Sequence, residues 1–229
     1  MIKKTSGIVL SSIKYKDTSL IVKIFTRELG LKSYLINGVR SQGKGSKSAL
    51  YQPLTLLDLV VYDKENTGLQ RISDAKIEIP QQRIPFDFVR TGIAMFITEV
   101  VSRSIYDNYQ NEWLFDFLRD SILCLDSPDC QLAHFPVTFL VQQARFLGFA
   151  PEEAEGFLTE SRHHPFQVQE IKAVLDHLDE LLLAGFEAEG KIPGTLRRKL
   201  LDHLLVFYSE HLDNPSPIKS LSVLRQLMS

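Results

Sequence analysis

GIVLSSIKYKDTSLIVKIFTRELGLKSYLING, residues 7–38, decides the fold. The segment is dense in Ile, Val, Leu, Tyr and Phe, and turn-forming residues cut it at Lys16-Asp17 and at Glu28-Leu29-Gly30. The pieces between the cuts are too short for helices and carry the branched and aromatic residues that suit a pleated surface. They predict strands over Thr5–Tyr15, Ser19–Thr26 and Leu31–Asn37. Beyond Gly38 the chain runs through polar VRSQGKGSKS (39–48), which has no apolar period, and then returns to strand-like sequence over Leu54–Tyr62. A turn at Asp63–Gly68 leads to a last strand, Leu69–Ile79. Closing so many short strands into a barrel removes their unpaired edges.

Five strands is the count of an OB-fold, so the expected class is α+β in two parts: a five-stranded OB-fold β-barrel over residues 1–80, then an all-helical domain over residues 81–229. EIPQQRIPF (78–86), with two prolines and no period, marks the boundary. Past it the period changes to that of a helix. Val89, Ile93, Phe96, Ile97, Val100 and Val101 predict a buried helix over Phe86–Ile105. An amphipathic helix follows over Glu112–Leu125, with Trp113, Phe117, Ile122 and Leu125 inside. Leu132–Leu147 stops at Gly148 with Pro151 just after, the usual order of helix-ending residues. Residues Pro151–Pro165 read as acidic and irregular, Phe166–Ala184 as a helix, and Leu196, Leu200, Leu204, Tyr208 and Leu212 as one face of another. A short helix over Ile218–Met228 closes the chain.

The net charge of −2 hides an asymmetry: residues 1–80 hold 13 Lys and Arg against 7 Asp and Glu, while the remainder holds 13 against 21. Such a split predicts a polyanion-facing module beside a differently employed one. A solvated Lys-rich surface would look the same by charge alone. No apolar run is long enough for a membrane span, no secretory segment opens the chain, and Cys124 and Cys130 imply no disulfide framework. The expected compartment is the cytoplasm, in association with the nucleoid.

GVRSQGK (38–44) matches the first seven positions of a phosphate-binding P-loop, but the next residue must bring a hydroxyl for magnesium and is Gly45. The segment reads better as an adaptable basic loop. Arg40, Lys44 and Lys47 sit among Gly and Ser with no acid between Lys32 and Asp58, and Lys14, Lys16, Lys23 and Lys32 lie on or beside neighbouring strands. Cations so placed neutralise phosphates. Tyr15, Phe25, Tyr34 and Tyr51 could stack on bases, although barrel core is the commoner fate of such residues. No C-x-x-C pair, H-E-x-x-H or G-x-S-x-G is present, so no metal, cofactor or catalytic residue is expected. Arg197, Arg198 and Lys199 crowd the first turn of a helix, where they oppose its dipole. Glu187 and Glu189 upstream could balance them, or an acidic partner could.

The stretches GIVLSSIKYKDTSLIVKIFTRELGLKSYLINGVRS, ALYQPLTLLDLVVY, GLQRISDAKI and IKSLSVL together resemble the bacterial RecO family, most closely over residues 6–80 and again at 147–149 and 218–221. The resemblance implies an OB-fold, a helical domain, and binding to single- and double-stranded DNA with annealing of complementary strands. It also implies partnership with RecR and with the single-strand-binding protein, so that RecA can replace the latter. Arg40 falls in the family's Gly-Val-Arg element, and Lys44 and Lys47 in the basic loop after it. The helical domain would then receive the acidic, apolar-ended tail of the single-strand-binding protein, with Arg119, Arg145, Arg197, Arg198 and Lys199 as candidate cations. Many relatives carry C-x-x-C zinc pairs where this chain has residues 151–165, so zinc is not carried over. A nucleic-acid-modifying enzyme with an OB-fold clamp, or an RNA-binding OB protein, are the alternative readings.

Overall fold

A computed structural model describes residues 1–39, 47–64, 68–212 and 217–228. Its contacts group the chain into two compact units, residues 1–126 and 127–229.

In the first unit, β1 (Ile2–Tyr15), β2 (Ser19–Thr26), β3 (Gly30–Ile36), β4 (Leu56–Tyr62) and β5 (Gln70–Ile77) close into a barrel of order β1-β2-β3-β5-β4. All ladders are antiparallel except β3 with β5. The long β1 serves two neighbours: Ile2–Ile8 pair with β4, and Gly7–Tyr15 with β2, across a bulge between Val9 and Ser11. The hand-over point is Gly7, where a Cβ would lie 2.7 Å from both Ile24 and Leu59. Alternation sends Val9, Val22, Ile24, Tyr34, Leu57, Leu59 and Val61 into the barrel core.

Among the described residues, the parallel β3–β5 seam shows two residue pairs, Tyr34 with Gln70 and Leu35 with Arg71. At the start of β3 another segment takes over. Leu31 donates its amide to Tyr109 O (2.9 Å) and accepts from the Asn108 amide (2.8 Å), both in the loop between α1 (Phe88–Ser104) and α2 (Glu112–Asp126). The boundary expected near residue 80 lies between barrel and α1, yet α1 and α2 belong to the barrel's compact unit. Asp126, ending α2, accepts from the backbone amides of Gln82, Arg83 and Ile84 at 2.7–2.8 Å, and Arg90 Nη1 donates to Leu125 O. One expectation for α2 fails. Its buried face is Leu114, Phe115, Leu118, Ile122 and Leu125, so Trp113, about 100° round the helix from Leu114, is 78 % exposed.

The second unit is built round α3 (Phe135–Leu147), whose residues Phe135–Ala144 are all buried, as a central helix requires. It packs on α5 (Val168–Ala184) and α6 (Gly194–His211), and Tyr208 on α6 donates its hydroxyl to Leu140 O at 2.7 Å. The acidic stretch expected to be irregular holds a short helix, α4 (Ala154–Thr159). Six residues are too few to show a period, but Ala154 and Phe157 both turn inward, and Phe157 meets Phe207 with ring centroids 5.1 Å apart. α7 (Ser220–Leu227) ends the unit.

Candidate functional site

The end of β1 and the β1–β2 turn carry Lys14, Tyr15 and Lys16, all exposed, with the Lys16 ammonium 5.4 Å from the Tyr15 ring centroid. Beside it the chain leaves β3: Val39 donates its amide to Thr18 O (3.0 Å), and Ser19 Oγ donates to Asn37 Oδ1 (3.0 Å). The basic loop after Val39 therefore departs next to Lys14 and Lys16. Arg40 and Lys44 lie outside the described residues; Lys47 opens a 3-10 turn, Lys47–Tyr51, which leads back toward β4.

Lys23 and Lys32 stand elsewhere. Lys23 pairs with Asp107 (3.1 Å) and Lys32 donates to Asn108 Oδ1 (2.8 Å), so both hold the α1–α2 loop against β2 and β3. Of the four aromatics considered for stacking, Phe25, Tyr34 and Tyr51 are buried and only Tyr15 is open. Burial pushes the Tyr51 hydroxyl above its ordinary range, as a core residue's should be. Sequence reading overlooked Arg27, which reaches Asp116 (2.9 Å) and Glu112 (3.0 Å) on α2. That hydrogen bond and charge hold the Asp116 carboxyl below the usual range and Arg27 above its own. No local motif marks such a clamp, because its parts come from distant segments.

The cations proposed for the helical region divide sharply. Arg119 is occupied by Glu78 (3.0 Å), Lys199 by Glu170 (2.8 Å), and Arg145 by the carbonyl of Leu182 (3.0 Å). Glu187 and Glu189 make no ion pair with Arg197 or Arg198 among the described residues, so the internal balance considered for this cluster is not what is found. Instead Arg197 Nη1 faces His134 Nε2 at 3.5 Å, and Arg198 Nε donates to Gly194 O at 3.4 Å. Both arginines rim a cavity of about 120 Å³ between α3, α6 and α7, floored by Pro136, Val137, Leu201, Leu224 and Met228. Arg225, paired with Asp202, completes the rim. An apolar floor under guanidinium groups can hold a group with an apolar body and a carboxylate. Among the described residues no group of three or more His, Cys, Asp or Glu could hold a metal ion, and no helix is long and apolar enough to cross a membrane.

A closed barrel in the order β1-β2-β3-β5-β4, with a basic turn beside the exit of β3 and helices behind it, defines a protein of the OB type. Comparison narrows the class. The family sequence described as Recombination protein O N terminal matches residues 1–80, and Recombination protein O C terminal matches residues 85–222. The DNA repair protein RecO of Flavobacterium psychrophilum is 36% identical over 238 aligned residues, with 99% of each chain covered. Those of Flavobacterium johnsoniae and Bacteroides fragilis are each 34% identical, again with 99% of both chains covered. The chain belongs to the RecO family of DNA repair and recombination mediators.

Proposed function

We propose that the barrel binds single- and double-stranded DNA through the β1–β2 turn and the basic loop after Val39, and that the chain anneals complementary strands there. The carrying observation is the juxtaposition of Lys14 and Lys16 with the point where that loop leaves β3. The expected division of labour follows the charge: residues 1–80 meet DNA, and residues 81–229, net −8, meet protein partners. Working with RecR in the cytoplasm, on the nucleoid, the chain helps RecA onto strands coated with single-strand-binding protein. The cavity rimmed by Arg197 and Arg198 receives that protein's acidic, apolar-ended tail. Those two arginines support this choice because no carboxylate pairs with them among the described residues, whereas Arg119 and Lys199 are engaged.

Replacing Arg40, Lys44 and Lys47 together by Glu tests the DNA site. Exposed loop changes usually stay within about 0.5 kcal/mol each, so the fold should survive, as circular dichroism would confirm. With about five phosphates engaged, the parent's log affinity for single strands should fall against log salt with slope about −3.5. The variant's slope should be shallower and its annealing, assayed without nucleotide or metal, slower. A folded variant that binds and anneals as the parent does would move the DNA path off the barrel. For the cavity, Arg197→Ala with Arg198→Ala should abolish binding of a tail peptide to the full chain while leaving DNA annealing intact.

A further inference from the structure

Arg197 has two sides. One faces the cavity; behind it is a buried pair of imidazoles. His134, 9 % exposed, presents Nε2 to Arg197 Nη1, and His177, 3 % exposed, meets the His134 ring edge-on at 5.5 Å and 68°. A guanidinium only donates, so that contact requires a lone pair on Nε2 and a neutral His134 with its proton on Nδ1. Among the described residues, His134 Nδ1 and both nitrogens of His177 are buried without a hydrogen-bond partner. Burial and the neighbouring guanidinium both disfavour an imidazolium here.

The charges facing His134 come from three elements. Arg197 approaches from α6, Lys191 from the segment before it, and His177 and Glu180 from α5. Glu180 is the one carboxylate among these groups, and its Oε1 already accepts from the amides of Glu189 (2.9 Å) and Gly190 (2.7 Å). Positive charge is thus in excess round the ring. A carboxylate seated on Arg197 would supply the missing negative charge from the far side of the guanidinium that His134 touches.

We infer that anion capture at this cavity is proton-linked through His134: an anion seated on Arg197 makes the imidazole take up a proton, and the cavity therefore holds acidic peptides more tightly as the pH falls below neutral. The inference rests on the reading of the cavity as an acidic-peptide site. Linkage makes the coupling reciprocal, so whatever raises proton affinity on binding must raise peptide affinity on protonation. Burial first and Arg197 second hold the His134 pKa down to about 4. Neutralising Arg197 removes the second cause and leaves the first, so protonation on binding is partial at pH 5.5 and negligible at pH 7.5. Because Arg197 is the smaller of the two causes, the expected gain in affinity between those values is modest, up to about 1.5-fold.

The probe is a short fluorescent peptide of Asp and Gly with a C-terminal Phe, titrated into the full-length chain at pH 7.5 and 5.5 and constant salt. Its carboxylates stay ionised over this range. The ratio of the two affinities is the readout, and His134→Gln, which keeps an amide oxygen for Arg197 but cannot titrate, should bring that ratio close to one. A second measurement needs no variant: at pH 5.5 the binding enthalpy of the parent chain should differ between buffers of unequal ionisation enthalpy, in the sense of proton uptake. Equal affinities at both pH values, a gain that His134→Gln keeps, or no proton uptake overturns the inference and leaves the peptide site standing. Absence of binding at either pH overturns the peptide site, and the inference with it.

Discussion

Replacing Gly30 by Ala imposes two separate demands at the start of β3. Gly30 has φ +71°, a conformation that costs an L-residue about 1 kcal/mol. A Cβ there would also lie 2.4 Å from the Tyr109 carbonyl oxygen and 2.8 Å from its carbon. Those are backbone atoms and cannot swing aside as a side chain would, so the α1–α2 loop must retreat. Retreat breaks the two hydrogen bonds between Leu31 and residues 108–109, at about 1 kcal/mol each, and loosens Lys23–Asp107 and Lys32–Asn108, which as exposed contacts add little. The expected loss is ~2–4 kcal/mol. Gly148→Ala is the matched control: its φ is +83°, but among the described residues nothing lies within 4 Å of the added Cβ, so it should cost only the first ~1 kcal/mol. Urea unfolding followed by circular dichroism gives both numbers. Equal losses for the two variants would refute the claim that the loop is what constrains Gly30.

Three further outcomes are expected. Asp126→Ala leaves three amides of residues 82–84 without their acceptor and should lower the urea midpoint by an amount equivalent to about 2 kcal/mol, with Asp126→Asn recovering part of it. Burial depresses the folded pKa of His134, His177 and His203, so the unfolded chain binds more protons: stability should be flat above about pH 6.5 and fall as the pH drops toward about 4, as acid-range melting curves would register. Dialysis against a chelator should leave the melting temperature unchanged, because the segment 151–165 is fixed by Phe157 and by ring contacts such as His163 with His203 at 5.8 Å; a drop of several degrees would contradict that account.

The barrel strands were legible because each of them alternates over a short span bounded by turn residues, and the helices because their apolar residues recur over three turns or more. Trp113 was misplaced because a helix face is set by the whole stripe, and one bulky residue at its edge does not define it. The six residues of α4 are shorter than the pattern that would reveal them. The sites divide in the same way. Lys14 and Lys16 could be proposed from local charge, but local charge could not show that Lys23 and Lys32 are taken up by residues 107 and 108. Arg119, Arg197 and Lys199 look alike in the sequence; what separates them is whether a carboxylate from a distant segment arrives, as Glu78 and Glu170 do. His134 and His177 form a pair only through tertiary packing, so nothing in their spacing announced them.

The α1–α2 loop against Leu31 also sets an order of events during synthesis. The β3 strand leaves the ribosome well before residues 108 and 109 exist, and Phe25 must wait likewise for Phe115, its ring neighbour at 6.0 Å. At ~5–20 residues per second that interval lasts several seconds. Throughout it the nascent strands keep bare apolar side chains, and once β5 has followed they close on a seam of two pairs, a state open to pairing with another nascent chain or to capture by a chaperone. Synonymous codons that slow translation between residues 80 and 109 should therefore lower the soluble yield, whereas slowing after residue 126 should not.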